Sequence, residues 1–269
     1  MDNYKQQVIE LYNRRTNYDH EKDTRHPLEA NLLLESVPVE AGQRILDVAT
    51  GTGLLAIPAA QKVGPNGYVI GIDMSPGMLH QARQKIELAK LQNIELIEAD
   101  VESANFSDSS FDAIFCCEAI VLLSDIPASL QKWYSFLKSG GFIAFTCPPE
   151  TAYLASVYKN ICATMLGMVM PHILEPLGTP EKCYSLLQEA GFKNIEIKIV
   201  PSGRYRHLSD DKLSWKVINL NFKGNPLLSK LSQEQLEQLE SEYKAELKKI
   251  ATDKKIWEDT TKFFIRASK

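Results

Sequence analysis

The chain has 269 residues, 44% hydrophobic and 24% charged, with a formal net charge of −4, a balance that describes an ordinary globular protein able to bury a sizeable core. Lysine and arginine total 30 against 34 acidic residues, so no cationic excess points to a nucleic-acid partner. The 5 cysteines include no C-x-x-C pair, which argues against a structural zinc site or a complete disulfide framework and makes a reducing, cytoplasmic setting the expectation.

The first 40 residues read as a helical N-terminal cap. Its opening, MDNYKQQVIELYNRRTNYDH, mixes charges of both signs without a continuous apolar run and is not a secretory signal. Val8, Leu11 and Tyr12 fall on one helical face opposite Lys5, Glu10 and Arg14. From residue 44 strands and helices alternate. RILDVA is a first strand and GLLAIPAAQKV the helix after it; GPNG is a turn and YVIGID a second strand. In SPGMLHQARQKIELAK, Ser75 stands at a capping position with Pro76 in the first turn, a strong helix start. IELIEAD and FDAIFCCEAI supply a third and a fourth strand, with a helix entered near Pro127. The pair Gly140 and Gly141 stops that helix before a fifth strand, FIAFTCP. Repeated β–α–β units predict a mostly parallel sheet covered by helices on both faces.

After residue 148 the pattern loosens. Within residues 149–178 the most apolar run, ICATMLGMVMPHIL, is shorter than the roughly 20 residues of a bilayer span, so no membrane span is predicted. TPEKCYSLLQEAGF reads as a helix and NIEIKIV as a strand. SGRYRHLS then reads as a basic loop, SQEQLEQLESEYKAELKKIA as a helix with Leu236, Leu239, Tyr243 and Leu247 on one narrow stripe, and TTKFFIRAS as a last strand. The chain is read as one domain, with 1–40 the cap, 41–148 the core, and 149–178 and 201–260 substrate and lid insertions.

In sheets of this type ligands sit beyond the carboxyl ends of the strands. Gly51, Gly53 and Ala56 satisfy the relaxed pattern G-x-G-x-x-A of a turn that holds a dinucleotide. Around that turn stand three acids at three successive strand ends. Asp47 suits a cation and opposes a phosphate. Asp73 can take both hydroxyls of a ribose, and Asp100 followed by Val101 offers a carboxylate for an adenine amino group and an aliphatic wall for its ring. S-adenosylmethionine, with its ammonium and sulfonium, meets that set better than NAD.

The runs LDVATGTG, GIDMSPGML, EAD, FDAIFCCEAI and LKSGGFIAFTCP together resemble the class I S-adenosylmethionine-dependent methyltransferases, most of all the set similar to the ubiquinone and menaquinone C-methyltransferases. The resemblance is close over about residues 44–148 and is one of layout beyond. It implies a Rossmann-like α/β fold with seven strands in the order 3-2-1-4-5-7-6, the last antiparallel. It implies S-adenosyl-L-methionine as cofactor and methyl transfer, on oxygen or carbon, to a small or mid-sized, partly apolar metabolite; no metal is implied. Position by position, Asp47, Ala49, Gly51 and Gly53 would line the methionine end, Asp73 and Met74 the ribose and adenine, Asp100 and Val101 the adenine, with Cys117 in the chain after the fourth strand. Ala49 stands where the family more commonly has the first glycine of D-x-G-x-G-x-G. The D/N-P-P-Y/F signature common in amino-group methyltransferases is replaced after the fourth strand by CCEA.

The stretch after the fifth strand is where the resemblance places the substrate. His172 in it is the candidate general base, set against a structural histidine, and Tyr18 and Met168 are candidate substrate walls. Two other function classes stay open: an NAD-dependent oxidoreductase, which Asp47 and Asp100 oppose, and a protein that binds S-adenosylmethionine without transferring its methyl group.

Overall fold

Residues 3–21, 24–167, 171–210, 213 and 231–269 are described in the computed structural model. Five parallel strands form the heart of the sheet: β1 (Arg44–Val48), β2 (Tyr68–Asp73), β3 (Ile94–Glu98), β4 (Phe111–Cys116) and β5 (Leu137–Cys147). With β6 (Lys193–Val200) and β9 (Lys262–Ser268) they make a seven-stranded sheet in the order β3-β2-β1-β4-β5-β9-β6, its last strand antiparallel. This is the expected order 3-2-1-4-5-7-6; the final strand is ninth in the chain because two further strands, β7 (Gly203–His207) and β8 (Lys255–Asp259), pair separately as an antiparallel ribbon.

Local sequence explains the elements. β1 and β4 are almost continuously apolar, and Ile45, Leu46, Ile114 and Phe115 are fully buried, as strands covered on both faces require. Of the helices α3 (Ala56–Val63), α4 (Pro76–Leu88) and α5 (Ile126–Phe136), the second starts where Ser75 Oγ accepts the Met78 N–H at 3.2 Å and the third where Asp125 accepts that of Ala128 at 2.9 Å. The N-terminal segment is helical as expected, with α1 (Asn3–Asn13) and α2 (His26–Glu35), and TPEKCYSLLQEAGF carries α7 (Pro180–Glu189).

By contact density the chain divides into two compact units. The larger comprises Val8–Cys147, Cys183–Lys198 and Phe264–Lys269 and holds most of the seven-stranded sheet; the smaller comprises Met1–Gln7, Pro148–Lys182 and Ile199–Phe263. In the smaller unit α8 (Gln233–Ile250), opened by a capping box on Ser232 and Gln235, buries Leu239, Tyr243 and Leu247 against Tyr158, Ile161 and Cys162 of α6 (Ala155–Leu166), with the Tyr158 and Tyr243 rings stacked at 4.4 Å. The rest of the helical-lid stretch, at 211–212 and 214–230, lies outside the described residues.

Three expectations are corrected. SGRYRHLS is not a loop: β7 alternates, with Arg206 buried and bonded to Glu258 at 2.6 Å and Asp210 at 2.7 Å, while Tyr205 is exposed. Its high polar content hid the period of two. The glycine pair does not separate helix from strand, because α5 ends at Phe136 and Leu137 already pairs with Phe111. Gly140, at φ 79°, and Gly141 instead lie inside a bulge of β5, before Phe142 pairs with Ala113. Leu11, placed on the apolar face of α1, is exposed, whereas Tyr4 and Val8 are buried.

Candidate active site

The glycine turn leaves β1 at the point where crossovers run from β1 to β2 on one side and towards β4 on the other, the usual place for a ligand in an open α/β sheet. Three residues of the turn have left-handed backbones: Ala49 at φ 53°, Gly51 at φ 56° and Gly53 at φ 77°. An alanine there is strained by about 1 kcal/mol, which explains why glycine suits position 49. Gly53 is needed for packing as well, since a Cβ on it would stand 2.9 Å from Ile57 Cδ1.

Two acids, Asp47 buried and Asp73 half-buried, wire the turn to the sheet. Asp47, 1% exposed, accepts the Thr50 hydroxyl at 2.6 Å, and Thr50 N–H bonds Ile72 O at 3.0 Å. Burial lifts the Asp47 carboxyl to about 7, against the lowering pull of the Thr50 hydroxyl and the Ala56 N–H; no cationic side chain among the described residues acts on it. Asp73 accepts the Gly51 N–H at 2.8 Å through Oδ2 and the Ser75 N–H at 2.8 Å through Oδ1. Burial raises its carboxyl too, opposed by those backbone donors and that of Met74. Both oxygens are thus aimed by backbone donors.

The N-terminal segment within the larger unit closes over the start of α4. Asn13 Oδ1 accepts from Gly77 N at 2.9 Å and from Ser75 Oγ at 2.7 Å; Asp19 accepts from the Thr52 hydroxyl and pairs with Lys85 at 2.6 Å. Arg15 lies over the Tyr18 ring at 4.3 Å, and Tyr18 stacks on His26 at 4.9 Å. The result is a cleft whose walls include Tyr18, His26, Asp47, Ala49, Gly51, Cys117 and Glu118.

Of the residues picked from sequence, the structure therefore gathers Asp47, Ala49, Gly51, Cys117 and Tyr18 into one cleft, with Asp73 hydrogen-bonded behind Gly51 and Met74 half-buried beside it. Asp100 and Val101 follow β3, joined to the β2 end by Ala99 N–H on Asp73 O at 3.0 Å; Asp100 accepts the Glu102 N–H, and Val101 is buried. Neither lines this cleft. Burial pushes the Cys117 thiol well above its usual range, so it is no nucleophile at neutral pH. Met168 lies outside the described residues. Sequence reasoning missed His26, Glu29 and Glu118. A histidine and a carboxylate one turn apart in HPLE were the available signal.

His172 belongs to the smaller unit and is 4% exposed. Its Nδ1 accepts the Leu174 N–H at 3.2 Å, so the neutral ring carries its proton on Nε2 and keeps no lone pair for a substrate. Burial, aided by Lys159 and opposed by Glu175, lowers its pKa to about 4. This is the geometry of a structural histidine. His172→Ala is expected to cost about 1–3 kcal/mol in urea unfolding through the orphaned Leu174 N–H, leaving cofactor affinity within twofold. A fully stable variant would contradict the structural role.

Comparison with known proteins follows the same lines. A family model described as a methyltransferase domain matches residues 39–191. The chain is 39% identical over 122 residues to aklanonic acid methyltransferase DauC of Streptomyces sp. strain C5, covering 45% of this chain and 55% of that protein. It is 33% identical over 152 residues to the demethylmenaquinone methyltransferase of Listeria welshimeri, covering 56% and 64%. The chain thus spans less than two thirds of these curated relatives. Phosphoethanolamine N-methyltransferase 2 of Haemonchus contortus, solved with phosphomonomethylethanolamine and S-adenosylhomocysteine, shares the fold at a TM-score of 0.55 and 23% identity, over 90% of this chain and 52% of that one. Glycine turn, sheet order and family match agree, and the chain belongs to the methyltransferase domain family.

Proposed function

We propose that the protein transfers the methyl group of S-adenosylmethionine to a small, partly apolar, quinone-type acceptor, on oxygen or carbon. The observation that carries this reading is Asp47: a buried carboxylate without a cationic partner among the described residues, set in the cleft beside the glycine turn. It suits an ammonium and repels the pyrophosphate an NAD-dependent oxidoreductase must hold. In this reading Asp47, Ala49, Gly51 and Gly53 hold the methionine end, Asp73 and Met74 the ribose and adenine, Asp100 and Val101 the adenine, with Cys117 on the cofactor side after β4 and Tyr18 as a substrate wall. The relatives named for aklanonic acid and demethylmenaquinone support the acceptor class.

The cofactor supplies a methyl group already activated by its sulfonium. The chain's own residues align it, exclude water and manage any proton the acceptor loses. No helix among the described residues is long and apolar enough to cross a membrane. Calorimetry tests the reading, with S-adenosylhomocysteine expected to bind at micromolar Kd and NAD at least a hundredfold more weakly. Tighter binding of NAD would remove it. Hydrogen exchange on the same complex is expected to show protection rising at 47–53.

A further inference from the structure

His26 opens α2 and faces the cleft beside Tyr18, its ring parallel to the tyrosine within 4°. One turn on, Glu29 is 3% exposed and brings Oε2 to 3.9 Å from His26 Nδ1. Glu118, just past β4, lines the same cleft in a fixed place: Thr146, fully buried, accepts its backbone N–H at 2.8 Å and donates to its Oε1 at 2.7 Å. One polar atom of each of His26, Glu29 and Glu118 lies within 4.8 Å of the other two. Cofactor binding as proposed above uses none of the three.

Two carboxylates this close, one of them desolvated, repel each other. Arg25 Nε stands 3.4 Å from Glu29 Oε1, but its charge is fixed. The imidazole is the member of the cluster whose charge changes near neutrality, and a proton gained there sits where two negative charges converge. We propose that His26, with Glu29 and Glu118 as positioning residues, takes the proton that the methyl acceptor gives up, and hence that the acceptor presents a weakly acidic hydroxyl of phenolic or enolic type. This rests on the methyl-transfer reading. The O–H bond breaks with its electron pair left on oxygen, the proton passes to the imidazole, an oxygen lone pair forms the new O–CH3 bond, and the pair of the broken S–CH3 bond stays on sulfur. One positive charge leaves sulfur and one appears on His26, so the net charge of the site is unchanged. The other titratable groups of the cleft do not compete: Asp47 faces the cofactor's ammonium in the reading above, burial holds Tyr18 and Cys117 protonated, and Arg15, over Tyr18, is a permanent cation. A nucleophile already ionised at neutral pH would give the cluster no proton to take.

NMR titration of the histidine-labelled full chain tests this, with His26→Gln assigning the signal. His26 is expected to titrate at or above 7, and Glu29→Gln and Glu118→Gln each to lower that midpoint by half a pH unit or more. On any acceptor the wild type methylates, His26→Gln is expected to lower kcat by about 10²–10⁴ and remove the acidic limb of the pH profile. A His26 midpoint at or below 6.5, no response to either glutamine variant, or a kcat within threefold of wild type overturns the proposal. So does stoichiometric broadening of the His26 signals by MnCl2, which makes the cluster a cation site. Failure of the methyl-transfer reading looks different: wild type would then not bind S-adenosylhomocysteine in calorimetry, whatever His26 does.

Discussion

Replacing Asp73 by alanine is expected to weaken S-adenosylhomocysteine binding by about 2–4 kcal/mol, roughly thirtyfold to nearly a thousandfold in Kd. The estimate takes two charge-assisted bonds to ribose hydroxyls with incomplete additivity. The loss has a second source in the structure, since Asp73 also holds the Gly51 and Ser75 amides; without it the turn loses its anchor. Asp73→Asn separates the two. Its one carbonyl oxygen can keep one of those amides while its NH2 faces the other, so it should fall between wild type and alanine. Unchanged affinity in Asp73→Ala, read by calorimetry, would remove Asp73 from the site.

The second large effect concerns Asp47 and appears in the protein without ligand. Its carboxyl is lifted from 3.8 to about 7 by burial, so between those values the folded state holds a proton that the unfolded state has released. Stability therefore falls as pH rises from about 4 to about 7, and above 7 the folded state carries a penalty of about 4 kcal/mol for the buried charge. Asp47→Asn cannot ionise. Urea unfolding from pH 5 to 8 should show wild type losing stability while the variant stays nearly level and becomes the more stable of the two at pH 8, although it binds S-adenosylhomocysteine poorly. A wild-type stability independent of pH across that range would rule the account out. Below pH 7 the ligand's ammonium should also expel the Asp47 proton, seen as a binding heat that varies with the ionisation enthalpy of the buffer.

The parts of this structure that sequence foretold share one physical property, a short-range signal. β1 and β4 announce themselves by mostly apolar runs, α4 by Ser75 and Pro76, and α8 by the four-residue spacing of Leu239, Tyr243 and Leu247. The acids at 47 and 73 were legible because strand ends are where such sheets put chemistry. β7 was not, since Arg204 and Arg206 look like a solvated loop until Glu258, far along the chain, is placed opposite them. The pairing of His26 with Glu118 was hidden for the same reason. Nothing within ten residues of either tells that they share a cleft.

The bulge in β5 has a consequence for which changes of length the chain can accept. Between paired positions β4 spends one residue, Asp112, where β5 spends four, Lys138 to Gly141. An odd surplus of three shifts the alternation of every later side chain, and so decides that Thr146 lands on the side where Glu118 waits. Exchanging a glycine here for another residue disturbs one loop; removing one inverts the strand beyond it, sending Thr146 to the opposite face and an apolar neighbour, Phe145 or Cys147, into its place. Natural variation in this family should then spare the residue count between α5 and Phe142 even where the residues themselves differ.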